Sequence, residues 1–458
     1  MLLRKKSRTV DMTRGALLSN ILLFSLPLMF SSVLQLLFNA ADVVVVGRYE
    51  GAQALAAVGS TTSLIQLIVQ FFLGLSAGVN VIVARDIGAG KIKEVSRSSH
   101  TGIAISLVGG AFLTVVGVIF SETFLRWMGS PDDVRPLATI YMRIFFLGMP
   151  VNMLYNFGAA ILRGIGDTKR PLVFLTIAGI ANVIMNLFFV IVLHMGVAGV
   201  ALATILSQGI SALLVLSSLI HIIHPVRITL NKLRIDPEKG REMLKYGLPA
   251  GLQSMCFSIS NVLIQSTINS FGSIVVAGNS ITSNLEGFIY ASMNSLYQAA
   301  LTFTSQNVGA KLYGRVRKIC VTSVLVCVGI GVFLSAVVLI FGDFLMGIYS
   351  DVPEVIAVGR ARMGITTGFQ FLCGIMDVLC GVLRGLGATI MPMIVSLLGA
   401  CAFRILWILL ILPFSWTLTT LYISYPISWL LTGLVHLICL IICLRKLPKG
   451  EEPDASAH

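Results

Sequence analysis

Charge is scarce in this chain. Asp, Glu, Lys and Arg together make 12% of its 458 residues, against 56% hydrophobic, where a soluble domain carries about 25% charged residues. That shortage excludes an ordinary water-soluble domain. Cysteine is missing from the whole first half, and the eight Cys of the second half include no Cys-x-x-Cys pair. They read as small, polarisable core residues and not as metal ligands. A phosphate loop is missing as well. Gly88-Ala89-Gly90-Lys91 lacks both the upstream Gly and the Ser or Thr after Lys that such a loop needs. No catalytic triad and no pair of carboxylates at a reactive spacing can be drawn. The sequence therefore predicts no enzyme, no cofactor and no energy from nucleotide hydrolysis.

What the chain has in quantity is long apolar runs, each reaching the roughly 20 residues that span a bilayer. They predict an all-α integral membrane protein with 12 transmembrane helices, at 16–46, 53–83, 97–121, 136–161, 170–193, 197–223, 243–270, 275–305, 318–342, 355–382, 391–412 and 418–444. The first run is uncharged for too long, and followed by too many others, to be a cleaved signal peptide. The net charge of +13 does not point to nucleic acid, because the basic residues alternate between loops. Of 33 Lys and Arg, 26 fall in the tails and every second loop, 5 in the opposite loops (Arg48, Arg126 and Arg135, with Arg360 and Arg362 at one helix start), and Arg143 and Arg404 inside spans. By the positive-inside rule both termini are expected in the cytoplasm.

The chain repeats itself at an interval of about 221 residues. Leu26-Pro27 returns as Leu248-Pro249, Gly88-Ala89 as Gly309-Ala310, and Arg163-Gly164-Ile165-Gly166-Asp167-Thr168 as Arg384-Gly385-Leu386-Gly387-Ala388-Thr389. Six spans separate the copies, so the halves are parallel repeats related by an axis along the membrane normal. The expected division is an N-terminal six-helix repeat at 1–223, a cytoplasmic linker at 224–242, a C-terminal repeat at 243–444 and a tail at 445–458. Pro225, Asn231 and Pro237 argue against a continuous helix through the linker.

The polar residues inside the spans are the functional evidence, since a charge at the bilayer centre costs about 2.5–3.5 kcal/mol or more unless it faces protein, water or an ion. Gln35, Asn39 and Asp42 are spaced 4 and 3 apart, on one helical face. A turn at Gly47–Gly51 places Asp42 roughly 8 Å below the outer helix end. Asn182 and Asn186, four apart, reach a similar depth. The two faces predict a shared polar site, although an Asn pair also serves as an interhelical hydrogen bond. In the second repeat the counterparts of Asp42 and Asn186 are the apolar Ile264 and Trp407. That half instead carries Glu286, Asp377 and Arg404. Depth favours Glu286 over Asp377 as the ion-pair partner of Arg404, leaving Asp377 the freer acid. Pro27 and Pro249 interrupt the first span of each repeat, either as hinges or as packing devices.

These features resemble the multidrug and toxic compound extrusion (MATE) family. The resemblance is carried by Asp42-Val43-Val44-Val45-Val46-Gly47 with Ala54-Leu55-Ala56-Ala57-Val58-Gly59, by Gln306-Asn307-Val308-Gly309-Ala310, by Leu162–Pro171 and by Asn182-Val183-Ile184-Met185-Asn186. It implies two six-helix lobes around a central cleft, in a bacterial cytoplasmic membrane. It implies a monomeric secondary antiporter that exports organic cations or amphipathic toxins in exchange for H⁺ or Na⁺, by alternating access. The partners would be small-molecule substrates and the lipid bilayer, with no nucleic acid. Asp42 matches the family's first-helix acid and Pro27 its hinge. In the branch that includes the DNA-damage-inducible F proteins an Asp stands where this chain has Asn186. The acids of the other main branch fall on Phe257 and Cys373. The expected coupling-ion group is Asp42, Asn39, Asn182 and Asn186, with Na⁺ at Asp42 if the ion is a metal. Gln35, Gln253, Asp377 and Glu286 are expected to line the substrate cleft. The competing reading is a flippase for a lipid-linked oligosaccharide or cell-wall precursor, which would need several Arg or Lys facing the pyrophosphate.

Overall fold

The computed structural model describes residues 9–222 and 225–448. Residues 1–8, residue 223 at the end of the expected sixth span, His224 at the start of the expected linker, and 449–458 of the tail expected at 445–458 lie outside them. Among the described residues the regular elements are all helical. They are α1 (Leu17–Tyr49), α2 (Gly51–Gly88), α3 (Ile92–Trp127), α4 (Arg135–Leu147), α5 (Met149–Gly164), α6 (Lys169–Leu187), α7 (Gly196–His221), α8 (Pro237–Asn269), α9 (Ser273–Gly309), α10 (Tyr313–Ile340), α11 (Gly342–Gly347), α12 (Pro353–Ile365), α13 (Gln370–Leu386), α14 (Ile390–Ser396), α15 (Phe403–Leu410) and α16 (Leu418–Arg445). Helix is the form in which a chain in lipid satisfies its own backbone polar groups within one segment. Large apolar side chains such as Val44, Phe112, Ile119, Leu325 and Phe333 remain exposed on the outward faces, where lipid tails are as apolar as Leu.

Each expected span falls on helix. By length and composition ten helices can cross a membrane, or eleven if α4 and α5 form one span bent by 47°. That bend was not foreseen in the run 136–161. It comes at Gly148, just before Met149-Pro150, where proline takes the first turn of α5 because it has no N–H to donate. The expected eighth span is α9, 37 residues long, but Asn279, Thr282, Asn284 and Glu286 make it too polar to pass on composition. The expected turn at 47–51 shrinks to Glu50, with α1 continuing to Tyr49 and α2 starting at Gly51. Two stretches wind into π-helix, Phe188–Val192 directly after α6 and Leu397–Ala402 between α14 and α15.

The chain forms two compact units. Among the described residues, one comprises Phe30–Gly251 with Thr9 and Val10; the other comprises Asp11–Met29 with 252–448. Both changes of unit inside a helix fall two residues after a proline, Pro27 in α1 and Pro249 in α8. The first unit packs α5 against α2, α3 and α7, around Met142, Phe146, Met153, Phe157, Ile161 and Val215. In the second, α13 lies against α9, α10 and α16.

The segment 225–236 holds a turn at Pro225–Val226 and one 3-10 turn at Leu230–Lys232, and no continuous helix runs through it, in keeping with Pro225 and Pro237. It is fastened to α3. The Thr229 N–H donates to His100 Nε2 at 3.0 Å, the Asp236 N–H donates to Thr101 Oγ1 at 3.2 Å, and Arg97 Nη2 pairs with Asp236 at 2.6 Å. Just beyond it, buried Lys239 reaches Asp86 at 2.9 Å and Glu94 at 3.2 Å.

Candidate functional site

Gly179 on α6 brings the first site together. A Cβ at this position would lie 1.8 Å from a ring carbon of Phe38, so only glycine lets the Phe38 ring of α1 sit against the α6 backbone. One turn past Phe38 on α1 is Asp42; one and two turns past Gly179 on α6 are Asn182 and Asn186. The Asn186 amide Nδ2 donates to Asp42 Oδ1 and, at 3.3 Å, to Asn182 Oδ1. Asn182 and Asn186 are buried, and Asp42 is half-buried. The carbonyl oxygen of Asn186 is buried without a hydrogen-bond partner. Asp42 is seven residues from the end of α1, roughly 10 Å from that end.

Of the residues expected to share this site, Asn39 and Gln35 are exposed on α1 and contribute no hydrogen bond to the Asp42 group. The expected common face is thus divided: Asp42 turns toward α6, Asn39 and Gln35 do not. The π-helical turn begins two residues after Asn186, and such turns recur at functional positions.

In the second unit the expected Glu286–Arg404 pair is replaced. Glu286 pairs with Arg362 on α12, Nη2 to Oε2 at 2.7 Å. Its other oxygen accepts from Thr366 Oγ1 and, at 3.1 Å, from Thr367 Oγ1. Arg362 also donates to the side-chain and backbone oxygens of Asn279. Both charges are therefore met, and Glu286 has an anchoring geometry. Sequence reasoning assigned Arg362 to an outer loop at a helix start. The signal available was that Arg362 lies nine residues into α12, with Thr366 one turn further along, facing the same way.

Arg404 has a different environment. Its Nε donates to Ser428 Oγ at 2.8 Å, and its guanidinium carbon lies 4.3 Å from the Tyr425 ring centre and 5.5 Å from that of Trp429. Nη2 is buried without a hydrogen-bond partner. Among the described residues no carboxylate lies within ion-pair distance of it. A cation–π contact contributes about 2 kcal/mol when desolvated, less than the several kcal/mol that removing the charge from water costs.

Asp377 on α13 is half-buried and, among the described residues, has no hydrogen-bond or ion-pair partner. Arg384, two turns further along α13, and Tyr290 are within its electrostatic range. Arg384 itself is buried, donating to Tyr297 Oη at 2.5 Å and to Gln253 Oε1 at 2.7 Å; the expected cleft residue Gln253 is thus held by an arginine that the sequence placed in a loop. Arg143 is exposed. Five of the eight Cys are buried and all are free; no group of three or more His, Cys, Asp or Glu that could hold a metal ion occurs among the described residues.

The MatE family model matches the chain twice, at residues 27–188 and 249–410. The chain belongs to the MatE family. The second match lies 222 residues after the first, in register with the internal repeat. Among curated MATE relatives, a probable multidrug resistance protein of Bacillus subtilis, YpnP, is 29% identical over 87% of this chain and 89% of its own length. A probable multidrug resistance protein NorM of Thermotoga maritima is 25% identical over 83% of the chain and 82% of its own length. A protein named as a FAD transporter, from Shewanella oneidensis, is 25% identical over 72% and 74%. The fold matches a multidrug resistance MATE transporter solved in an outward-facing conformation, with a TM-score of 0.90 at 22% identity, covering 98% of this chain and 100% of that one. MATE proteins are membrane transporters, so the chain is a multi-pass transporter and not an enzyme.

Proposed function

We propose that this MATE transporter is a secondary antiporter that exports cationic or amphipathic small molecules, and that its coupling cation binds at Asp42. The observation that carries the reading is the Asn186 amide. Its Nδ2 donates to the Asp42 carboxylate while its carbonyl oxygen is buried and unpartnered. A half-turn of that amide exchanges a donor for an acceptor. Asp42, Asn182 and Asn186 then offer a carboxylate and two neutral oxygens, the hard donor set that a small cation takes. A proton would need only the carboxylate.

The two six-helix repeats work as the moving lobes, in a plasma membrane with both termini in the cytoplasm, and the protein acts as a monomer. Pro27 is the hinge. The support is that the change of unit along α1 falls two residues beyond it, in the helix that carries Asp42.

The test is ethidium efflux from cells and from vesicles given an imposed Na⁺ or proton gradient. Asp42→Asn keeps the shape and removes the charge. Gradient-driven efflux should vanish while yield and melting temperature hold, and the gradient that drives the wild type identifies the ion. Wild-type efflux in Asp42→Asn would refute the assignment.

A further inference from the structure

We propose that Arg404 is an anion-binding group: the second unit takes the carboxylate or phosphate of a transported molecule at this guanidinium. The inference rests on the transporter reading and adds a substrate class to it, molecules that carry an anionic group beside their cationic or apolar body.

Arg404 is 5% exposed and lies within the apolar span Ile390–Phe414. A cation so placed is matched by a counter-charge or by a ligand. The candidates inside the unit are already engaged or remote. Glu286 is held by Arg362, Thr366 and Thr367, and Asp377, on α13, makes no ion pair with Arg404 among the described residues. Ser428, the one hydrogen-bond partner of Arg404 among the described residues, is also committed, since its own hydroxyl donates to the Tyr425 carbonyl at 2.7 Å.

The geometry points to how the anion would bind. The Tyr425 and Trp429 rings pack against the guanidinium. Ser428 takes the Nε edge. The in-plane edge at Nη2 is left, buried and unpartnered. Ring contacts do not use the guanidinium N–H donors, so the rings hold Arg404 without competing for the anion. Two backbone features hold this orientation. Arg404 comes two residues after the π-helical stretch Leu397–Ala402, a turn that re-aims the side chains after it. Within that stretch Gly399 meets Thr432 of α16, where a Cβ would lie 2.2 Å from Thr432 Oγ1. The close approach keeps Arg404 against Tyr425, Ser428 and Trp429 of the same helix.

The experiment compares norfloxacin, a carboxylate beside an amine, with its methyl ester, whose amine is unchanged. Binding to the purified full-length protein is measured by calorimetry without any gradient. The wild type should bind norfloxacin about tenfold tighter than the ester, as expected for one charge-assisted hydrogen bond. Arg404→Gln should reduce that preference to within about twofold, and the ratio of norfloxacin to ethidium efflux in cells should fall in the same variant. Equal wild-type binding of acid and ester overturns the proposal, and so does a preference that survives in Arg404→Gln. If Arg404→Gln fails to fold, Arg404→Lys replaces it: a point charge without the planar fork should lose part of the preference, and an unchanged preference overturns the assignment. Replacing chloride by gluconate identifies a purely structural anion. A melting temperature that tracks chloride, with no discrimination between acid and ester, is also a refutation. Because binding is read without a gradient, loss of coupling at Asp42 and loss of anion recognition at Arg404 are separately observable.

Discussion

Glu286 and Arg362 offer the sharpest energetic test of the second unit. Their side chains are 13% and 6% exposed and 2.7 Å apart. Glu286→Gln is nearly isosteric. Its amide oxygen still accepts from Thr366 and Thr367, so the substitution isolates the loss of charge. Breaking one side of a buried pair costs about 3–5 kcal/mol, mainly because the remaining charge is left uncompensated. At about 2–4 °C per kcal/mol for a unit of this size, the lower figure alone predicts a fall in melting temperature of about 6–12 °C, read by differential scanning fluorimetry in detergent. Arg362→Met should fall comparably. The double variant Glu286→Leu/Arg362→Met carries no buried charge and should recover most of the loss, short of full recovery because Asn279 loses its donor. A double variant whose loss equals the sum of the single losses would mean that the two charges do not stabilise each other, and would refute the pair.

Asp377→Asn should spare the melting temperature, since no hydrogen bond or ion pair to Asp377 exists among the described residues, and should weaken binding of ethidium more than that of neutral substrates in the same calorimetric format. Gly179→Ala forces a Cβ into the Phe38 ring; it should cost about 1–3 kcal/mol by overpacking and lower Asp42-dependent efflux, and Phe38→Ala in the same chain should restore stability. The Arg97 guanidinium and the Lys239 N–H hold the Asp236 carboxyl below its usual range. Its stabilising share is therefore present above the unfolded pKa of about 3.9 and lost only as pH falls through the lowered folded value. Hydrogen exchange at the Asp236 amide should stay slow from neutral pH down to about pH 4, and Asp236→Asn should remove the acid-triggered step; fast exchange already at pH 6 would contradict it.

The repeat, the helix positions and the Asp42–Asn182–Asn186 group were legible because each is written in one helix period: apolar runs, i,i+4 spacing, and a common depth measured from a turn. The bend at Gly148 was legible too, in Gly148-Met149-Pro150, but an apolar count weighs those residues by hydropathy and not by backbone freedom. The charge partners of the second unit were not legible. Arg362 and Arg384 sit near helix ends in sequence, and depth counted from the nearest polar residue assigns them to loops. In the fold both side chains run inward, where Glu286 and Tyr297 receive them. Sequence depth gives where a Cα lies along the membrane normal, and a side chain as long as arginine covers more distance than the error in that depth. The exposed Asn39 fails for a related reason: residues three apart on one helix face differ enough in direction for one to meet α6 and the other not.

Parallel repeats of one ancestral pattern would be expected to carry like residues at like positions, yet the two units carry different residues at the positions of Asp42 and Asn186. Asp42 stands where the second repeat has Ile264, which is buried in an apolar cluster with Leu412 and Leu421. Asn186 stands where the second repeat has Trp407, whose indole N–H is tied to the Thr420 carbonyl at 2.9 Å. The second unit moves its polar chemistry three residues earlier, to Arg404, and inserts a π-helical stretch ahead of it rather than after it. One extra residue in a helix turn rotates the next side chains by about 100°, enough to exchange a lipid-facing position for an inward one. A small local change in winding thus separates two binding environments on one repeated scaffold. If a coupling cation binds at Asp42 and an anion at Arg404, a molecule with both a cationic and an anionic group would be recognised by the second unit without competing for the carboxylate of the first.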